Sequence, residues 1–499
     1  MNESITVETV VIGAGFGGLA AAHDLLAGGR TDFLVLEQAT SVGGVWRENV
    51  YPNAACDVPS HLYSLSFAQS PDWSSSYASQ AEILAYTERV VDDLGIRDRI
   101  LFGTGLVAAR WDEHVGQWGL ETSRGARITC RFLISAIGTL NQPLVPDLPG
   151  MDEFTGTIVH TARWDPALDL RGKRVAVVGA GASAIQVVPH AVERADAVLV
   201  AIRTPPHVMP KPEEHYDERA KQRFREHPEL LLALRQEQVE YWNRSTHAQA
   251  VMDEAFLSAA EAVWRQHMES AVHDAELRRI LTPTSRFGCR RPVVSNAFYP
   301  ALADPRTTVF DSAIARLTPT GVVSERGQEW AADVVVLATG FRATEMLSSV
   351  EFAGTDGTLA EHWQDDGPRA YKGTLVPGFP NLFLVTGPNT QASGSIIGVI
   401  EAQTGWIARL LDETDARGAA AVGVTTAGLA RFEERLAALM SRSVWEVGGC
   451  ESWYRLGGTG RVVTKWPGSL AEFEAVLAEP VTEDLEFTGV RAPQLAARP

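Results

Sequence analysis

Residues 5–12 (ITVETVVI) are mostly apolar and β-branched and run into glycine, which predicts a buried parallel strand. A helix of small residues is predicted over 17–29 and a second strand over 32–37 (DFLVLE). The same order returns at 172–204, as strand KRVAVVG, helix ASAIQVVPHAVERA and strand AVLVAIR. Three further apolar runs predict strands: FLISAIG (132–138), DVVVLATG (333–340) and NLFLVTG (381–387). Each reads as returning to its own βαβ unit, so the second unit is inserted in the first. Residues 212–281 differ. They are charged and poor in glycine, and their apolar positions recur at helical spacing: Leu230, Leu231, Leu234, then Phe256, Leu257, Ala260, Val263 and Trp264. They predict a helical insertion that either braces the second unit or shapes the mouth of a site. The alanine-rich stretch 416–440 is expected to be helical in its second half.

The first unit turns through Gly13-Ala14-Gly15-Phe16-Gly17-Gly18, with Glu37 lying 24 residues after Gly13. The second turns through Gly179-Ala180-Gly181-Ala182-Ser183-Ala184, with Arg203 lying 24 residues after Gly179. In a βαβ dinucleotide site that offset falls beside the adenosine ribose. A carboxylate there accepts from both ribose hydroxyls, and an arginine there faces a 2′-phosphate. Gly13 permits the tight turn, Gly15 lets the backbone approach a pyrophosphate, and Gly18 lets helix and strand pack; Gly179, Gly181 and Ala184 repeat those places. Helix N-termini supply N–H groups to the phosphates. The expectation is FAD at the first turn and NADPH at the second, with Ser183 and Thr204 as further NADPH contacts. The fold class is α/β, with two nested Rossmann-like dinucleotide-binding domains and a helical insertion. The expected boundaries are 1–147 and 384–499 for FAD, 148–211 and 286–383 for NADP, and 212–285 for the insertion. Proline-bearing stretches Asn141–Gly150 and Leu375–Asn381 are the candidate hinges.

At ~150 residues per domain, 499 residues accommodate roughly three domains. A net charge of −18 argues against nucleic acid or an anionic membrane as partner, yet leaves room for a local basic pocket. No apolar run approaches the ~18 residues of a membrane span, and the N-terminal residues carry no secretory pattern. Cys56, Cys130, Cys289 and Cys450 form no CxxC pair and no metal-ligand spacing, so no metal is expected and a cytoplasmic location is simplest.

Residues 154–165 (FTGTIVHTARWD) resemble the FxGxxxHxxxW(P/D) motif of type I Baeyer–Villiger monooxygenases, through Phe154, Gly156, His160, Trp164 and Asp165. Related flavin-containing monooxygenases that oxidise nitrogen or sulfur usually carry Phe or Tyr in place of Trp164. Residues 43–57 (GGVWRENVYPNAACD) resemble the family's GGxWxxxxYPGxxxD segment through Gly43, Gly44, Trp46, Tyr51, Pro52 and Asp57. Arg290-Arg291 falls where the family carries Lys-Arg, and Ser452-Trp453-Tyr454 is a fourth match. The resemblance spans about residues 8–470. Two departures stand out: Asn53 replaces a glycine, which is expected to reshape its loop, and Arg290 replaces a lysine, which keeps the charge but not the hydrogen-bond geometry.

The resemblance implies that NADPH reduces the flavin, that dioxygen is captured as a C4a-peroxide, and that this anion converts a ketone to an ester or lactone. An anion in a dry site needs a fixed cation. Arg291 is the candidate, with Asp57 holding it in register. Gly44 and Trp46 are expected near the flavin, and Arg290 and Trp453 near NADPH. His160 is expected to tie the two domains at their hinge, and Trp164 to be a core aromatic at the joint. A heteroatom oxygenase using the protonated peroxide remains open, as do a pyridine nucleotide–disulfide reductase and a non-enzymatic flavin or nucleotide sensor. The chain is expected to be a monomer or homodimer.

Overall fold

Strand Ser4–Ile12 lies inside the larger of two parallel-cored sheets, between Phe33–Leu36 and Arg127–Ser135 and parallel to both. Val10 and Val11 have no solvent exposure, which is why the second half of this strand is apolar on both faces. The order across this sheet is Glu351–Ala353, Leu106–Asp112, Gln117–Thr122, Arg127–Ser135, Ser4–Ile12, Phe33–Leu36 and Ile100–Leu101. Leu382–Leu384 also pairs with Arg127–Ser135. The second sheet has five parallel strands, ordered Thr307–Phe310, Ala197–Ala201, Arg174–Val178, Val334–Leu337 and Thr157–His160. This computed structural model describes residues 4–392, 394–480 and 483–490. In both sheets a helix follows the first strand of the βαβ unit: Phe16–Ala27 in the first and Ala182–Arg194 in the second.

One boundary and one hinge differ from expectation. Glu351–Ala353 already pairs with Leu106–Asp112 in the first sheet, and Phe352, Leu359, Val376 and Phe379 share its core. The chain therefore rejoins that sheet near residue 351, not 384. Leu375–Asn381 is no hinge either. Leu375 and Asn381 are fully buried, and the Asn381 amide bonds Val422 and Ala420. Its prolines mark turns in packed structure. The crossings run elsewhere, side by side: Leu144 donates to the Gly340 carbonyl, and the Thr339 hydroxyl donates to the Leu144 carbonyl.

The insertion comprises helices Glu218–Glu226, Pro228–Ala250, Glu254–Ala271 and Ala275–Leu281. It serves both sheets rather than one. Phe224, Val239 and Trp242 pack against the core of the first, whereas Trp264, Met268 and Leu281 belong to the core of the second. Arg235 donates to the carbonyls of His61, Leu62 and Ser64 and pairs with Glu401, so one guanidinium fastens the insertion to a loop of the first domain. The 416–440 stretch divides into strand Ala421–Val424 and helix Thr426–Met440.

Asn53 has φ +63°, the left-handed conformation that glycine adopts freely and asparagine tolerates best among other residues. The loop thus keeps the shape a glycine would give it, contrary to the expected change.

Two buried histidines make the fold acid-sensitive. His61 packs against Tyr216 and Phe224, and His207 against Trp264 and Phe287; burial pushes both pKa values down to about 4. The unfolded chain binds those protons near pH 6.5, so between about 6.5 and 4 it holds more protons than the native state, and stability falls as pH falls. Each group contributes at most about 3 kcal/mol to that loss. His207→Leu is expected to flatten the acid limb of a melting-temperature profile measured from pH 7 to 4, while leaving its neutral end little changed.

Candidate active site

The first glycine turn is closed by direct contacts. A Cβ on Gly18 would lie 1.8 Å from the Gly13 carbonyl oxygen, so the helix can start this close to the strand only with glycine there. The loop at Gly43–Trp46 folds onto the turn: Gly43 donates to the Ala14 carbonyl, and a Cβ on Gly44 would meet the Gly15 Cα at 3.2 Å. Glu37 is buried at the end of its strand and accepts from the Ala14 and Ala39 amides, each at 2.8 Å. A carboxylate has about four acceptor positions, so two remain for ribose hydroxyls. Helix Phe16–Ala27 starts at Gly15 with no side-chain cap and no acidic residue in its first turn.

Helix Ala182–Arg194 likewise starts uncapped at Gly181, where an added Cβ would meet nothing within 4 Å. Elsewhere Ser79, Asp217, Asp253, Asp274, Ser395, Thr425 and Ser469 cap their helices. The two helices behind the glycine turns therefore start without a side-chain cap and without a competing anion in the first turn, which fits two dinucleotide pyrophosphates. Ala184 is fully buried, and Ser183 and Thr204 are half-buried near the turn and the strand end. Arg203 is exposed and Arg290 half-buried. The Arg290 pKa is lowered first by burial and then by Arg203, so two guanidiniums face the same region, and the buried Arg290 Nε has no partner. Among the described residues neither arginine forms an ion pair. Two like charges without an ion-pair partner among the described residues suit an anionic phosphate.

Arg291 meets Asp57 from the other domain. Its Nε donates to Oδ2 at 3.0 Å and its Nη2 to Oδ1 at 2.5 Å. The carboxylate, acting against desolvation, raises the arginine pKa further above its ordinary value. The pair is partly open to solvent, with 45% of the Arg291 side chain accessible against 19% for Asp57. The cation is thus held in place but not sealed from water, a difference from the sequestered charge expected. A cleft of about 440 Å³ opens beside Asp57, with Asn53, Cys56, Gln186, Lys211 and Ser295 in its walls.

Gln186, absent from the sequence expectations, joins the two domains. Its Oε1 accepts from the Tyr51 hydroxyl at 2.8 Å and its Nε2 donates to the Ala55 carbonyl at 2.9 Å. Trp46 donates to the Tyr63 hydroxyl. Trp453 is 40% exposed and lies at 4.5 Å, ring to ring, on buried Tyr454. The FxGxxxH stretch is structural: Gly156 has no room for a Cβ beside the Asp333 carbonyl and the Phe154 ring, His160 Nδ1 accepts from Ala162, and Trp164 packs in one cluster with Tyr51 and Ala54. Two groups escaped the sequence reading. Buried Lys465 lays its ammonium on the Trp445 and Tyr454 rings, with its pKa pushed down to about 7 by burial and then by Arg291. Cys289 and Cys450, which read as isolated thiols, form a disulfide across 161 residues. No spacing signal reaches that far.

A family model described as pyridine nucleotide-disulphide oxidoreductase matches residues 10–255. Disulphide reduction needs paired cysteines close together beside a flavin, whereas Cys56 and Cys130 are buried free thiols far apart in sequence. A Baeyer-Villiger monooxygenase of Streptomyces coelicolor is 41% identical over 477 residues, spanning 94% of this chain and 90% of that protein. One of Pseudomonas aeruginosa is 37% identical over 478 residues, spanning 94% and 89%. An oxidised steroid monooxygenase bound to NADP superposes with a TM-score of 0.85 at 31% identity, covering 97% of this chain and 99% of that one. A cyclohexanone monooxygenase from Rhodococcus sp. Phi1 bound to NADP+ superposes with a TM-score of 0.87 at 28% identity, covering 98% and 100%. Two dinucleotide turns, a carboxylate-held arginine and this likeness along nearly the full chain lead to one assignment: the protein belongs to the Baeyer–Villiger monooxygenase family of FAD- and NADPH-dependent oxidoreductases.

Proposed function

We propose that the protein uses NADPH and dioxygen to convert a ketone to an ester or lactone, with Arg291 as the catalytic cation and Asp57 as the residue that orients it. The observation that carries this reading is the two-point Asp57–Arg291 pair, which joins a loop of one dinucleotide domain to a loop of the other. Gly13, Gly15, Gly18, Glu37, Gly44 and Trp46 would hold FAD. Gly179, Gly181, Ser183, Ala184, Arg203, Thr204, Arg290 and Trp453 would hold NADPH. Bound FAD would supply hydride acceptance and dioxygen activation.

The residues then have distinct tasks. A guanidinium has five N–H donors, and Asp57 engages only the Nε and Nη2 edge. The Nη1 edge is left to donate to oxygen. Because arginine stays protonated at any working pH, it stabilises negative charge developing on the ketone oxygen without having to gain a proton. Closing the cleft over it would strengthen that interaction by excluding water. Dependence on NADPH favours a cytoplasmic location. Among the described residues, no helix is long and apolar enough to cross a membrane.

The reading is tested by incubating purified holoenzyme, NADPH and air with a ketone panel and with methyl phenyl sulfide. Ester or lactone formation is expected. Sulfoxide with no ester from any ketone would assign the chain to heteroatom oxygenation instead.

Arg291→Ala is expected to lower ketone oxygenation about 10²- to 10³-fold, whereas Asp57→Asn, which keeps a neutral acceptor, loses less. Anaerobic flavin reduction by NADPH, followed by stopped-flow absorbance, should be affected much less than oxygenation in both.

Arg203→Ala removes a charge-assisted contact of about 1.5–3 kcal/mol, or roughly 10- to 100-fold in affinity. The Michaelis constant for NADPH should rise by that factor while NADH kinetics stay almost unchanged. Equal losses with both nucleotides would remove Arg203 from the 2′-phosphate.

A further inference from the structure

The Cys289–Cys450 disulfide lies at a position of consequence. Cys289 directly precedes Arg290 and Arg291, and Cys450 precedes Ser452, Trp453 and Tyr454 by two to four residues. The first segment follows the helical insertion, from which Arg286 pairs with Glu254 and Glu261. The second follows the short helix Val444–Val447 in the C-terminal part of the chain. Apart from the covalent bond, the two segments touch non-covalently: Arg286 donates to the Gly448 carbonyl at 3.3 Å, Gly448 leaves no room for a Cβ beside Cys289, and Glu451 acts on the Arg290 charge. Cys289 sits in an apolar cluster with Met440, Val444, Trp445, Tyr454 and Val462.

We propose that Cys289 and Cys450 form a redox-controlled latch that holds the Arg290–Arg291 arm against the Trp453–Tyr454 arm, so that its oxidation state sets how tightly the nucleotide site is assembled. The proposal rests on assigning these arms to the NADPH site. With the bond intact, each arm is fixed at its root, one residue from Arg290 and three from Trp453. With the bond broken, the two arms keep non-covalent ties alone: the apolar cluster, one long backbone contact and the attraction of Glu451 for Arg290.

Access gives the chemistry a direction. Cys289 is 1% exposed, whereas Cys450 is partly exposed. The thiolate of a small dithiol therefore attacks Cys450 Sγ, the Cys289 sulfur leaves and takes up a proton, and the second thiol of the reagent resolves the mixed disulfide. Two electrons pass from the dithiol to the protein. The Sγ–Sγ bond becomes two thiols, and the reagent becomes a disulfide. Cys56 and Cys130 are already free thiols, which the dithiol leaves unchanged; both are buried, and burial pushes both up, so they react poorly with an alkylating reagent in the native fold.

The test uses FAD-loaded holoenzyme, oxidised and after treatment with dithiothreitol, alongside Cys450→Ser. Three quantities are read: alkylated cysteines by intact mass, the dissociation constant for NADP+, and the fraction of consumed NADPH recovered as oxygenated product rather than hydrogen peroxide. Reduction is expected to expose two further alkylatable thiols in the wild type and none in Cys450→Ser. It should weaken NADP+ binding on the order of tenfold and raise peroxide release. Cys450→Ser should match the reduced wild type and ignore the dithiol. Four free thiols in protein purified without reductant and then exposed to oxidised glutathione would overturn the latch. Unchanged NADP+ affinity on reduction would do the same, as would an equal response in Cys450→Ser. A failure of the site assignment itself would be distinguishable, since NADP+ affinity would then be unaltered in Arg203→Ala whatever the thiol state.

Discussion

A carboxylate from one dinucleotide domain meets a guanidinium from the other, and the chemistry proposed for the cleft depends on that contact. With Arg291 45% accessible, the pair adds little to stability. Its value is geometric. Two parallel N–H···O bonds fix the plane of the guanidinium, which a lysine in the same place would leave free to rotate. The charge is present before any substrate arrives and needs no reorganisation when oxygen becomes negative. The same contact ties the position of the charge to the relative position of the domains, because its two halves belong to different sheets.

That coupling explains the weight of small polar contacts around the joint. Gln186 on the second glycine-turn helix is bonded by Tyr51 and bonds Ala55, a few residues from Asp57 on the same loop. Arg235 on the insertion bonds the carbonyls of His61, Leu62 and Ser64, the segment just after Asp57. The loop that carries the carboxylate is thus gripped from the NADP side and from the insertion. Sheet cores alone would leave it free, since a loop between packed elements has only its backbone to hold it. The insertion, with one half in each core, turns two domains that could rotate separately into bodies sharing a strut.

Local order was legible in the chain because its physical causes are local. Glycines forced by contacts under 3 Å, such as Gly18 against Gly13, leave a spacing that can be read directly. So do buried parallel strands, whose apolar runs have no alternation to confuse them. Glu37 could be found because its offset from the turn is set by one helix and one strand. Longer links could not be found this way. The entry of Glu351–Ala353 into the first sheet rests on pairing with a strand more than 200 residues earlier, and three residues carry too little pattern to announce it. Gln186 looks like any helical glutamine until the Tyr51 loop is laid beside it. The cysteine pair and Lys465 gain their meaning only from what folds against them. Asn53 differs for another reason: asparagine sustains the left-handed turn that a glycine would adopt, so the change of residue leaves the backbone conformation in place.

The two nucleotide sites also show how an acidic protein can accept polyanions. A chain of net charge −18 repels a dinucleotide at long range. At short range the arrangement reverses. The FAD turn places its one carboxylate, Glu37, under two backbone amides at the ribose end, away from the helix start that would meet phosphate. On the NADP side, burial and then Arg203 lower the Arg290 pKa, and Glu451 offsets this only in part. Bringing two guanidiniums together without a counter-ion costs free energy that a 2′-phosphate would recover on binding, whereas NADH would leave the cost in place. If the proposed assignment of these arginines to the 2′-phosphate holds, preference for the phosphorylated nucleotide would follow from relief of that repulsion as much as from direct attraction.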